Sequence, residues 1–446
     1  TPAGGNVFLV APQVENAGVI RSPGGQIVLA AGATVHLVDS AFPSIRVEIS
    51  APQDRSLNLG DLSTAGAGKV FAFLVKQSGV VSASNAQSAG GKVAFRSAGE
   101  VQLASGSVTE ATGVTGGSVQ VSGESVRLAS LARIDVSGTD GGGTALIGGG
   151  PRGADPNVPN AKITIADPGA IIKANATERG DGGTVVVYAE SKAQFSGSIE
   201  ARGGNRAGDG GKVEVSGRDA LAFTGSVDTR APNGVDGTLL IDPTRITVTA
   251  AATGVPAGLG DAFWQTAEDT GSQVLGAFDL SGLLNTTSVT LEATERITIA
   301  ADAQINVATG ASRALTLQAP EIIVQGAVRA SGGPLELNLT APGGSVNIAG
   351  GAEISLAGGK LNVAAQSLAV SPQASYSQGA VKGSDLQNPR VPVEMARAAS
   401  PPPDVARLRA EVEAELSRDR ERLAAAMHAC AKPGATVRQG CAAAPE

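Results

Sequence analysis

The stretch that decides the fold is Gly182-Gly183-Thr184-Val185-Val186-Val187-Tyr188-Ala189, then Phe195-Ser196-Gly197-Ser198-Ile199-Glu200-Ala201-Arg202-Gly203-Gly204. It is followed by Asp209-Gly210-Gly211-Lys212-Val213-Glu214-Val215-Ser216-Gly217, which restarts the same pattern. In an extended chain Val213 and Val215 fall on one face, while Lys212, Glu214 and Ser216 fall on the other. Ala220-Leu221-Ala222-Phe223 and Gly225-Ser226-Val227-Asp228 complete the unit. Three short strands with their turns use about 25 residues, the demand of one triangular coil of a β-helix. A single coil cannot bury its inward aliphatic side chains, so neighbours must close the core above and below it.

Outward from that stretch, a glycine, a polar or small residue and an aliphatic residue recur together. The triplet opens at Gly68, Gly91, Gly117, Gly143, Gly183, Gly211 and Gly237. All but one of these steps are about 26 residues long, a period that marks a solenoid. The exception is the step from Gly143 to Gly183, a normal repeat with extra chain inside it. That extra chain contains Gly148-Gly149-Gly150-Pro151 through Pro159, which is loop material. A repeat carrying an insertion is therefore expected there. Strands resume with Val289-Thr290-Leu291, Ile297-Thr298-Ile299 and Leu315-Thr316-Leu317, and continue to Val370. A chain of β-sandwiches is the rival architecture. It needs hairpins at every turn and larger core anchors than this sequence carries.

Composition agrees with a narrow core. Glycine supplies 60 of 446 residues and aromatics only 3%, so the hydrophobic fraction of 42% rests on small aliphatic side chains. That suits many short strands and turns, and it is too aliphatic for a disordered chain. The net charge of −7, with no basic stripe and no stacking aromatics, argues against nucleic acid as a partner. No run of 18 apolar residues offers a membrane-spanning helix. Thr1 is not an initiator methionine and no signal peptide follows it, so the sequence reads as a processed or excised piece. Cys430 and Cys441 are the only cysteines. An isolated pair at one end reads as a disulfide loop in an oxidising compartment, with a metal-binding pair beside His428 as the competitor.

The sequence also sets expectations about chemistry. Polysaccharide-cleaving β-helices need clustered carboxylates with a basic residue on one outer face, whereas the acids here read as spread singly along the coil. Asp181 and Asp209 stand in repeated Gly-Asp-Gly-Gly turns, one repeat apart. They are expected to hydrogen-bond the turn backbone rather than hold a metal. His36 and His428 are the only histidines, which leaves little with which to build a nucleophilic device, and His36 reads as a surface strand position. No enzyme, no catalytic residue, no metal and no cofactor are therefore expected.

Taken together, the quoted turns and Gly237-Thr238-Leu239-Leu240-Ile241-Asp242-Pro243 resemble the filamentous-haemagglutinin-type exoproteins of two-partner secretion in Gram-negative bacteria. Gly5-Asn6-Val7-Phe8-Leu9-Val10-Ala11-Pro12-Gln13-Val14-Glu15-Asn16 resembles the last part of that family's secretion domain, without its earlier Asn-Pro-Asn-type motifs. The resemblance covers roughly residues 1–370. It implies a right-handed parallel β-helix, export through an outer-membrane β-barrel transporter, and an adhesin shaft that meets a host glycan or protein receptor. The terminal cysteines resemble the anchor of the high-molecular-weight adhesin branch and of the haem–haemopexin-binding branch. There a disulfide loop tethers the fibre to its transporter at the cell surface. The alternative function is capture of a haem-carrier protein, with Phe263 and Trp264 as candidate contacts.

The expected organisation is secretion-domain-like β-helix over 1–50, regular shaft over 51–249, an extra-helical loop or hairpin over 250–287, and renewed β-helix over 288–370. A linker over 371–403 ends in Pro401-Pro402-Pro403. It leads to an anchor over 404–446, in which Asp404 caps a helix striped by Val405, Leu408, Val412, Leu416, Leu423 and Met427.

Overall fold

Coil after coil, the chain lays down three short strands that pair in parallel with the strands of the coil before. The computed structural model describes residues 4–32, 34–38, 46–50, 74–85, 90–251 and 272–377. One coil consists of Thr184–Ala189, Lys192–Phe195 and Ser198–Glu200. The next places Lys212–Gly217, Ala220–Phe223 and Ser226–Asp228 directly upon them, all in parallel register. Among the described residues, first-face strands begin at positions 6, 26, 92, 118, 144, 184, 212, 238, 288, 313, 335 and 361, which makes twelve stacked layers. The protein is a parallel β-solenoid, as the repeat period requires.

Alternation sets what faces inward. Val185, Val213 and Leu239 stand in one column, each paired to the next. The same column runs unbroken from Val7 and Ile27 at one end to Leu337 and Leu361 at the other. From Ile27 to Leu337 its members are essentially solvent-free. Each such aliphatic side chain contributes roughly 1.5–3 kcal/mol relative to exposure, which offsets the backbone entropy lost in ordering the coil. On the second face Phe195 and Phe223 stack with ring centroids 5.9 Å apart.

The recurring glycine has a physical cause. Where the third face turns into the first, successive coils touch backbone to backbone. The Lys212 N–H donates to the Gly183 carbonyl at 3.0 Å, and the Thr238 N–H to that of Gly211 at 3.1 Å. A Cβ on Gly211 would sit 2.1 Å from the Gly183 oxygen, and one on Gly183 2.0 Å from the Gly143 oxygen. Glycine holds this corner from Gly25 through Gly91, Gly117, Gly143, Gly183 and Gly211 to Gly237.

Two insertions leave the stack undisturbed. Ala145 pairs directly with Val185 across the long repeat, because the segment after Thr144–Ile147 loops out before Ile163–Ala166. Earlier, Thr34–Val38 and Arg46–Ser50 form an antiparallel hairpin outside the coil ladders, with His36 opposite Glu48.

The segment expected to leave the coil over 250–287 behaves differently in its described part. Ser272–Gly276 pairs in parallel with Arg245–Thr249 as an additional second-face strand, and the Gln273 side chain accepts from the Phe223 N–H at 2.8 Å across the break in the ladder. Helix α1 (Ala277–Leu284) then takes the place of a third-face strand, burying Ala277, Leu280, Leu283 and Leu284 against the core. The apolar residues of α1 follow a helical rather than an alternating period, so the solenoid takes residues 272–284 into its wall. Phe263 and Trp264 lie outside the described residues, as do Cys430, Cys441 and the expected helix from Asp404.

Above α1 the glycine corner changes. Its register positions become Thr287, Arg313 and Leu335, all buried, before glycine returns at Gly359. The first and second faces also join here, since Leu335–Ile348 and Leu361–Val370 run continuously through what is a corner in earlier coils.

Candidate functional site

The most elaborate side-chain cluster lies on the outside of the first face, where the 148–160 insertion folds over it. Outward positions of successive coils stack as Tyr188, Ser216 and Asp242, with Glu292 following one coil on. Glu214 stands two positions before Ser216 on the same face. The insertion turns at Gly148 and packs its backbone on the Tyr188 ring, which is buried. A Cβ at Gly153 would lie 2.3 Å from the ring's Cζ. Arg152 therefore reaches the acids from above.

Its backbone N–H donates to Glu214 Oε1 at 2.8 Å, and its Nη1 donates to Glu292 Oε1 at 2.8 Å. Nη2 lies 2.8 Å from Glu292 Oε2, a charge contact that is not aligned as a hydrogen bond. Ser216 Oγ donates to Glu214 Oε1 at 2.9 Å and Gln318 Nε2 to Glu292 Oε1 at 3.1 Å. Arg152 adopts φ 54° and ψ 18°, a left-handed backbone that disfavours a side-chain-bearing residue by about 1–3 kcal/mol. These contacts over-determine it.

The electrostatics follow from partial burial. Burial pushes Glu214 above the usual carboxylate range, against the pull of the Arg152 N–H and Ser216. Asp242 is pushed up to about 6, first by burial and then by the negative charge of Glu292, with Arg152 opposing. Burial likewise raises the Tyr188 phenol. The expectation of singly spread acids is corrected by this geometry. Residues 214, 242 and 292 are far apart in sequence, but each coil returns the chain to the same face, so one repeat of sequence is one step of about 4.8 Å in space. The signal was present in the register: if Val213 aligns with Leu239 and Val289, then Ser216 aligns with Asp242 and Glu292. What the cluster does with its hydrogen-bonding capacity is hold Arg152 and the loop.

Asp181 and Asp209 do what turn aspartates do. Asp181 Oδ1 accepts from the Asp209 N–H at 2.7 Å, and Asp209 Oδ1 accepts from the Val235 N–H at 2.8 Å, so each stitches its turn to the next coil. Among the described residues no group of three or more His, Cys, Asp or Glu side chains is arranged to hold a metal ion.

A second region surrounds α1. Two open depressions, of about 520 Å³ and about 550 Å³, share Arg202; the first lies beside α1 on the third face, and the second lies past the end of the helix, at the corner between third and first faces. Arg202 and Arg230 both bind Asp228, at 2.8 and 2.6 Å. Burial works to raise Asp228, but the Arg230 hydrogen bonds and the two guanidinium charges hold it below the ordinary range. Arg313, only 2% exposed, pairs with Asp236 and donates from Nη2 to the Asn285 carbonyl at 3.1 Å. Phe278, on the first turn of α1, is 81% exposed beside the first depression. Sequence reasoning missed this region, because a lone short helix inside a strand repeat carries no repeating pattern of its own.

A scan against protein-family models returns no match to this chain, and a search of curated proteins returns none either.

Proposed function

We propose that this protein is the surface-exposed shaft of a two-partner secretion adhesin of the filamentous-haemagglutinin type, which attaches the bacterial cell to host or sister cells. The observation that carries the reading is the glycine corner. The repeated Gly-Gly-x-aliphatic turns on which the family resemblance rests are the positions where consecutive coils touch backbone to backbone. Up to Gly237 they build a continuous stack of first-face strands, a form suited to presenting loops away from a surface. In this reading the protein catalyses no reaction, and the Arg152 acids fix a displayed loop.

Cys430 and Cys441 would close a short loop. A loop of about 12 residues limits the open chain by about 3 kcal/mol, enough to keep a small knot closed in a transporter pore. Beads coated with the purified chain should adhere to epithelial cells or sister bacteria, and soluble chain should compete. Adhesion no greater than that of heat-unfolded chain would end the reading. In cells that also make the transporter, Cys430→Ser with Cys441→Ser should shift the protein from the surface to the medium, and full retention would remove the tether.

A further inference from the structure

Around α1 the solenoid gives up a strand of its third-face ladder and builds a helix instead. Regular repeats abandon their pattern chiefly where something other than stacking is served. Three hydrogen bonds cap the edges exposed by the interruption. Thr286 Oγ1 donates to the Val227 carbonyl at 2.7 Å, the Thr229 N–H donates to the Thr286 carbonyl at 3.1 Å, and Ser281 Oγ accepts from the Asn306 N–H at 2.9 Å. A peptide strand adding to this edge would have to displace these bonds. What remains open is side-chain chemistry in the two depressions.

We propose that these depressions form one groove that binds a neutral oligosaccharide. The two meet at Arg202, and their combined volume accommodates roughly three to four sugar rings. Sugar hydroxyls both donate and accept, and they need planar, fixed partners. Asn175, Asn205, Thr177 and Thr309 line the second depression beside Arg202 and Arg230. Several of these groups are held before any ligand arrives. Asn175 Nδ2 donates to Glu200 at 3.0 Å and its Oδ1 accepts from the Arg202 N–H at 2.8 Å, while both guanidinium groups are fixed on Asp228. Preorganisation of this kind lowers the entropy cost of binding.

At the far end, the exposed Phe278 ring offers a flat apolar surface for the C–H face of a sugar ring. The three arginines are already neutralised by fixed acids, Arg202 and Arg230 by Asp228 and Arg313 by Asp236, so a polyanion would have to compete with these carboxylates for them.

The proposal deepens the attachment reading above and rests on it for its biological meaning, but the purified full chain tests it separately. Isothermal titration would be run with maltotetraose, chitotetraose, mannotetraose and lacto-N-tetraose, and with a heparin tetrasaccharide as the anionic comparator. At least one neutral probe should bind, and Phe278→Ala should weaken it about tenfold without changing the melting temperature. Asn205→Ala should weaken the same probe by a smaller factor. Binding of heparin alone, binding of no neutral probe, or equal binding by Phe278→Ala would each overturn the groove. If neutral probes bind while coated beads fail to adhere to cells, the groove stands and the adhesin reading falls.

Discussion

Below α1 the corner between third and first faces is glycine in every described coil from Gly25 to Gly237; above it the same corner holds Thr287, Arg313 and Leu335. The first half is a backbone-contact machine, in which the missing Cβ lets one coil's amide reach the carbonyl beneath it. The second half replaces that contact with side chains. Thr287 Oγ1 accepts from Thr229 Oγ1 at 2.7 Å, and Arg313 spans to Asp236 and Asn285. Both solutions carry the same inward aliphatic column. The core therefore dictates the repeat, while the corner is negotiable once α1 has rerouted the chain.

The largest effect should come from the column the two halves share. Val213→Asp places a charge without a partner in a dry core, at a cost of several kcal/mol. Because coils depend on their neighbours, loss of hydrogen-exchange protection should spread to the coils on either side. Unchanged melting would mean the register is wrong.

Next should come the upper corner. Arg313→Leu leaves Asp236 uncompensated and should cost about 3–5 kcal/mol in chemical denaturation. Adding Asp236→Asn to that variant should restore more than half of the loss. Absence of any recovery would show that Arg313 acts by filling space rather than by pairing.

The lower corner should answer to volume instead. Gly211→Ala drives a methyl group into the Gly183 carbonyl and should cost about 3 kcal/mol, whereas Thr287→Ala removes a hydroxyl contact worth about 1 kcal/mol. If the alanines cost the same at both positions, the contrast drawn between the halves fails.

The smallest effect concerns Asp242, where the first half meets the second. Its pKa is raised to about 6, so the stability it contributes is fully present below the unfolded value near 3.8 and is lost as pH rises through about 6. Asp242→Asn should match the parent near pH 4 and exceed it at pH 8. After allowance for partial exposure the gain is on the order of 1 kcal/mol. A variant that is weaker than the parent at pH 8 would show that the charge is used by Arg152.

Most of the lower half was legible in the sequence because its rule is local and repeated. Gly183, Gly211 and Gly237 announce the period, and Val213 with Val215 announces the face. The insertion after Ile147 was legible as an interruption of that period. The upper half and the site chemistry were less so. Nothing near Arg313 says that its partner stands 77 residues earlier at Asp236. The grip of Arg152 on Glu214 and Glu292 needs both the register and the path of a loop. Helix α1 was hidden for a further reason: Ala277-Phe278-Asp279-Leu280-Ser281-Gly282-Leu283-Leu284 has much the same composition as its strand neighbours, and only its spacing differs.

The direct pairing of Ala145 with Val185 makes the corner after Ile147 a splice point. Foreign sequence placed there has no partner to displace in the ladder. The entropy of a longer loop grows only logarithmically, by about 0.6 kcal/mol for each doubling. The hairpin at 34–38 and 46–50 leaves from the same corner three coils earlier, so two attachment sockets already share one edge of the rod. An epitope or a binding module inserted between Pro156 and Asn157, both exposed, would lengthen the loop at its tip while Arg152 kept its hold on Glu214 and Glu292. Selection could rewrite such loops freely while the rod beneath them stayed the same.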